Sequence, residues 1–160
     1  RLGAVIGTDD MMWFLDRALD GMVEIVEGLG DDLANQRPGL EGANSAYAIL
    51  THCLGVMEFW GGHVVAGRPS HRDRDAEFVA AGEVADLVRR TREARDQLAR
   101  DLQGLEPQAA PRSPLPEGHP DASLPIARTQ GGVVVHVFEE LAQHRGQLEL
   151  TRDVLRAGTR

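Results

Sequence analysis

The sequence predicts an all-α protein, a four-helix bundle with one long Pro-rich crossover between helices three and four. Three observations carry this. Four runs of about twenty residues repeat their apolar positions at helical spacing. No pair of short alternating runs competes with them as strands. The one stretch dense in proline separates the last two helical runs and makes at least one connection a long crossover.

The first helix is expected from about Thr8 to Leu29. Thr8 or Asp9 is the N-cap, and Met12, Leu15, Leu19, Met22, Val23 and Val26 form its apolar stripe. Gly28, Gly30 and the turn Arg37-Pro38-Gly39 are expected to close it. The second runs from about Asn44 to Ala66, capped by Asn44 or Ser45. It is read as amphipathic, with Tyr47, Ile49, Leu50, Leu54, Met57 and Val64 inside, and Gly67 and Pro69 end it. The third runs from about Gly82 to Leu102. It places Val84, Leu87, Val88, Ala94 and Leu98 inward and Arg89, Arg90, Arg92, Arg95 and Arg100 on a solvated face. The fourth runs from about Thr129, its expected N-cap, to Arg156. Val133, Val137, Leu141, Leu148, Leu150 and Leu155 are its apolar positions. Val133-Val134-Val135 is β-branched but leads directly into helical spacing. Between Gly104 and Ala127, prolines 107, 111, 114, 116, 120 and 125 forbid a continuous α-helix. That segment is either a cover over a site or a tether.

A chain of 160 residues suits one domain, here residues 1–160, and 42% hydrophobic content supports a core. A net charge of −8 argues against nucleic acid as a partner, because phosphate backbones select basic faces. No apolar run reaches membrane-spanning length and no leader is visible, so the expected location is the cytoplasm, with no membrane partner. Cys53 is the only cysteine, which excludes an internal disulfide or a cysteine-built zinc site.

The chemistry concentrates in one stretch of the fourth helix, His136-Val-Phe-Glu-Glu140-Leu-Ala-Gln-His144-Arg-Gly-Gln147. Residues four apart share a helix face, so a His and a carboxylate at that spacing can hold one metal ion. His136 and His144, eight apart, are separated by about 12 Å along the axis and cannot share an ion. The pair is His136 with Glu140, or Glu140 with His144; spacing does not choose. His52 lies between Leu50 and Leu54, which turns it inward, and a buried imidazole requires a hydrogen-bond partner or a metal. Cys53 projects about 100° away from His52 on an ideal helix and reads as a core residue, neither ligand nor nucleophile.

The segments Glu140-x-x-x-His144-Arg-Gly-Gln147 and Leu50-Thr-His52-Cys-Leu-Gly-Val-Met-Glu58-Phe-Trp60 resemble the DinB-like metalloprotein superfamily. The nearer resemblance is to the branch holding mycothiol-dependent maleylpyruvate isomerase and other thiol S-transferases. It covers nearly the whole chain as a metal-binding domain, without the isomerase's C-terminal domain, so thiol transfer is expected rather than maleylpyruvate isomerisation. The resemblance implies a DinB-type bundle whose divalent metal is held by His52, Glu140 and His144. It makes His136 a cavity neighbour with a substrate-contact or supporting role. It also implies a homodimer acting on small molecules. A His-Glu-His set leaves a coordination position open, fits zinc best, and also admits nickel or iron. The cofactors expected are thus a divalent metal and a low-molecular-weight thiol, mycothiol or similar. Metal-activated water and hydrolysis, or metal binding without turnover, are the alternatives. Arg145 is a candidate contact for an anionic substrate group. Gly55 and Gly146 are candidates for close approach beside the site, Phe59 and Trp60 for its lining. His63, His71 and His119 fall outside the ligand set, and His119 is expected to be exposed in the Pro-rich segment.

Overall fold

The computed structural model describes residues 6–158 and is all-helical: among the described residues there is no strand. Helix α1 spans Thr8–Asn35, α2 Ala46–Val56, α3 Arg74–Glu77, α4 Val84–Asp101 and α5 Gln130–Gly158. Helix α2 continues without a break into a wider π-helical stretch, Met57–Val65. The four long elements pack on one another around one apolar core to which all of them contribute. None is long and apolar enough to cross a membrane.

The apolar periods explain the packing. Helix α1 buries Leu15, Ala18, Leu19, Met22, Ile25, Val26 and Leu29, one stripe at spacings of three and four. Helix α4 buries Val84, Leu87, Val88, Thr91 and Leu98 and leaves its arginines to solvent, except that Arg95 grips Asp16 of α1 through both carboxylate oxygens (2.7 and 2.6 Å). Helix α2 is not amphipathic as expected. From Ala46 to Leu54 every residue is buried. A helix apolar all round belongs at the centre of a bundle, and α2 carries no Asp, Glu, Lys or Arg.

The boundaries differ from expectation in instructive places. Thr8 and Asp9 are inside α1, and Gly7 occupies the N-cap position without a side-chain hydrogen bond. Gly30 does not end α1. It takes φ +68°, a conformation favourable to glycine, and the helix resumes to Asn35. Ser45 and Thr129 do cap, accepting from the amides of Ala48 and Gly132 at 3.1 Å each. Leu150 is 70% exposed rather than buried. The inward face of α5 advances through Leu141, Leu148, Thr151 and Leu155, and Leu150 falls off that stripe. The π-helical widening contains Gly61 and Gly62. A Cβ on Gly61 would overlap the tip of Leu98 on α4, and one on Gly62 the Arg68 guanidinium, so these side chains pack against bare backbone.

The residues between Gly104 and Gln130 hold only one short 3₁₀ turn, Pro125–Ala127. Backbone hydrogen bonds tie this segment down: Ser113 N to Val64 O (3.2 Å), Gln130 N to Ala109 O (2.9 Å) and Gly131 N to Pro107 O (3.0 Å).

Candidate metal centre

Helices α2 and α5 bring three side chains together. His52 is buried on α2, and Glu140 and His144 lie one turn apart on α5. Glu140 Oε2 is 3.4 Å from His52 Nε2 and 3.4 Å from His144 Nε2, and one ligand atom from each of the three residues falls within 4.8 Å of the others. Two donors at about 2.05 Å from a tetrahedral ion are separated by ~3.3 Å, so both edges through Glu140 fit a divalent cation of zinc's size. Among the described residues no other group of His, Cys, Asp and Glu meets this test.

The hydrogen bonds behind the two imidazoles make the same point. His52 Nδ1 is 2.7 Å from Glu77 Oε2, and His144 Nδ1 is 2.8 Å from Gln147 Oε1. Both partners are acceptors, so both Nδ1 atoms carry the proton and both neutral rings turn Nε2 lone pairs towards the Glu140 carboxylate. Lone pairs facing a carboxylate repel unless a proton or a metal ion lies between them. The donor set therefore fits a divalent cation with at least one position open.

Without a cation, protons serve that purpose. Hydrogen bonds from His144 and then His52 hold the Glu140 carboxyl well below the usual carboxylate range. The hydrogen bond to Glu140 raises His144 above its ordinary value near 6.5. The stabilisation from Glu140 is present above its unfolded pKa and lost on acidification through the depressed one. That from His144 is complete below about 6.5 and lost as pH rises through the raised pKa. The metal-free pair thus contributes most between about pH 4.5 and 6.5. Metal must displace the His144 proton, so metal affinity should fall about tenfold per pH unit below the raised pKa. Isothermal titration with zinc between pH 6 and 8 checks this; an affinity flat over that range would contradict the assignment.

A cavity of about 650 Å³ opens in front of the site. His52, His136 and Glu140 face it, Phe59 and Trp60 form an aromatic wall, and His63, Arg74, His119 and Asp121 complete the rim. His144, the third member of the triad, is not part of the cavity lining; its ring sits edge-on to His52 at 4.8 Å. His136 joins the cavity wall: its Nε2 is 3.9 Å from Glu140 Oε1 and its ring meets Trp60 edge-on. His119 is half-buried in the rim rather than fully exposed, because the Pro-rich segment folds over this side.

Arg145 does not reach the cavity. Its guanidinium donates to Arg17 O (3.1 Å) and Glu149 Oε1 (3.3 Å) and lies over Gly21 of α1. One residue beyond His144, it points to a different neighbour. Gly146 has open space around it, whereas Gly55 makes room for Glu77 and Arg72. Cys53 packs against Met22 Sδ at 3.8 Å, and burial, with the charges of Glu140 and Glu77, pushes its thiol pKa up. The chain's one cysteine is therefore a protonated core residue near neutral pH.

Sequence reasoning missed Glu77, Arg72 and Phe78. They belong to the connection around α3, whose four residues are too short for any periodic signal. The available clue was the dense charge in Arg72-Asp-Arg-Asp-Ala-Glu77 directly after the His52 helix.

No curated protein sequence matches the chain. The family model described as Mycothiol-S-transferase matches residues 10–157, which takes in the whole bundle and all three residues of the candidate centre. The chain belongs to the mycothiol-S-transferase family.

Proposed function

We propose that this protein is a divalent-metal-dependent S-transferase that joins a low-molecular-weight thiol, mycothiol or a close relative, to a small electrophile. The observation that carries the reading is the convergence of His52 Nε2 and His144 Nε2 on Glu140 Oε2 beside a roomy cavity. Family membership supports mycothiol as the thiol. Zinc is the proposed ion, because two imidazole nitrogens and one carboxylate oxygen match its preferred donors, with nickel and iron as the other candidates. A bound divalent cation supplies the positive charge that keeps a thiol sulfur ionised near neutral pH.

The chain's own residues do the rest. His52, Glu140 and His144 hold the charge at a fixed point. Phe59 and Trp60 give a mostly polar cavity one aromatic wall against which an electrophile can pack. His136, beside Glu140 and facing the cavity, is placed to accept the thiol proton or return it to a leaving group. A volume of about 650 Å³ is ample for a small electrophile beside part of a thiol cosubstrate.

The test is turnover of mycothiol with monochlorobimane and a panel of alkylating electrophiles. Conjugation should vanish on chelation, return with added metal, and fall by about 10²–10⁴-fold in His136→Ala if His136 moves the proton. Hydrolysis of an ester panel without thiol would favour the metal-activated water reading. Metal binding without turnover of any substrate would favour a storage or sensing role.

A further inference from the structure

The group behind His52 is more elaborate than the one behind His144. Glu77 and Arg72 are nearly enclosed, with 7% and 12% of their side chains exposed, and Glu77 Oε2 is 2.7 Å from His52 Nδ1. Arg72 donates from Nε to Glu77 Oε1 (2.7 Å) and from Nη2 to Oε2 (3.0 Å), so both carboxylate oxygens are fixed. Phe78, the next residue, stacks on the His52 ring at 4.9 Å, and Arg37 holds its carbonyl at 3.1 Å. The notch for this carboxylate is Gly55, about one turn beyond His52 on α2; a Cβ there would overlap Glu77. By contrast, His144 Nδ1 faces only the neutral amide of Gln147.

We infer that Glu77 is a positioning residue of the metal centre: it holds His52 as the Nδ1–H tautomer with Nε2 aimed at Glu140, and Arg72 acts through Glu77. Arg72 Nη2 also approaches His52 Nδ1, at 3.4 Å. A donor engaged there would require the opposite tautomer. The carboxylate, 0.7 Å nearer and purely an acceptor, decides for Nδ1–H. A carboxylate behind a ligating imidazole raises its donor strength and fixes its ring plane, and losing such a partner costs about 10–100-fold in metal affinity. The two histidines are therefore unequal: His52 is the rigid, strongly donating ligand and His144 the adjustable one.

The metal readout rests on the proposed function; the tautomer readout does not. The experiment uses metal-free protein with ¹⁵N-labelled histidine. Long-range ¹H–¹⁵N spectra report whether His52 Nδ1 bears a proton. The variants are Glu77→Ala and, because a lone buried Arg72 is costly, Arg72→Met/Glu77→Leu, which removes both charges. Wild type should show Nδ1–H. Both variants should lose that preference, and zinc or cobalt affinity should weaken about 10–100-fold with an altered cobalt visible spectrum. The double variant should keep a melting temperature near the wild type in its metal-free form. A wild-type His52 with no proton on Nδ1, or a double variant retaining Nδ1–H and full affinity, would overturn the inference. Wild type that binds no metal yet shows Glu77-dependent Nδ1–H would sink the proposed function and leave the role of Glu77 standing.

Discussion

Glu140→Gln should release the metal while leaving the bundle folded. Glu140 is the hub of the centre, since its Oε2 is the atom both histidines approach. The amide keeps the shape but removes the negative charge, and it presents either a weak carbonyl donor or an NH₂ group that cannot ligate. A zinc site is worth about 10–16 kcal/mol in all. One of three protein ligands thus accounts for at least ~3 kcal/mol, a weakening of ~100-fold or more. A second consequence needs no metal. His144 is raised chiefly by its hydrogen bond to Glu140, so in Glu140→Gln its titration should move down towards the ordinary value. Metal content after dialysis checks the first effect, and an NMR titration of His144 checks the second. Unchanged metal content would remove Glu140 from the ligand set.

Leu50→Ala should do the reverse: weaken the fold and spare the site. Leu50 is fully buried on α2, in the helix the other long elements surround. Truncating such a leucine costs about 2–5 kcal/mol, the sum of lost transfer energy and the cavity left behind. For a chain of this size that lowers the melting temperature by roughly 6–15 °C. Leu50 supplies no ligand and takes part in none of the triad's hydrogen bonds, so metal stoichiometry at 25 °C should be unchanged. Thermal denaturation by circular dichroism, beside metal analysis, measures both. Loss of metal in a still-folded Leu50→Ala would mean that the site depends on core packing more than its local hydrogen bonds suggest.

The periodic parts of this molecule were readable in the sequence because burial writes a repeat of 3.6 into any helix that packs on one side. Helices α1, α4 and α5 follow that rule, and their positions follow from it. Helix α2 hides the rule: apolar on every face, it gives length and centrality but no direction, so its inward placement of His52 rested on two leucines. Its extension into the π-helical stretch left no sequence sign apart from Gly61-Gly62. Gly30 misled for a physical reason, since a glycine at positive φ can bend a helix as readily as end it.

The candidate centre divides in the same way. The Glu140–His144 pair is local, four residues apart on one helix, and the helical period alone brings it onto one face. Choosing it over His136–Glu140 took the family resemblance; His144 Nε2 lies 3.4 Å and His136 Nε2 3.9 Å from the carboxylate. Glu77 is 25 residues from His52 on a four-residue helix, and its contact depends on the missing side chain of Gly55. No periodicity encodes such a contact; it exists only once the tertiary fold has formed.

The most direct test is the metal content of untagged protein, purified without added metal and measured by mass spectrometry beside His144→Ala. The account predicts about one divalent ion per chain in the wild type, zinc foremost, and its loss from the variant. Protein that carries no metal and takes none up from a zinc solution, or a His144→Ala variant that keeps the full complement, would contradict it.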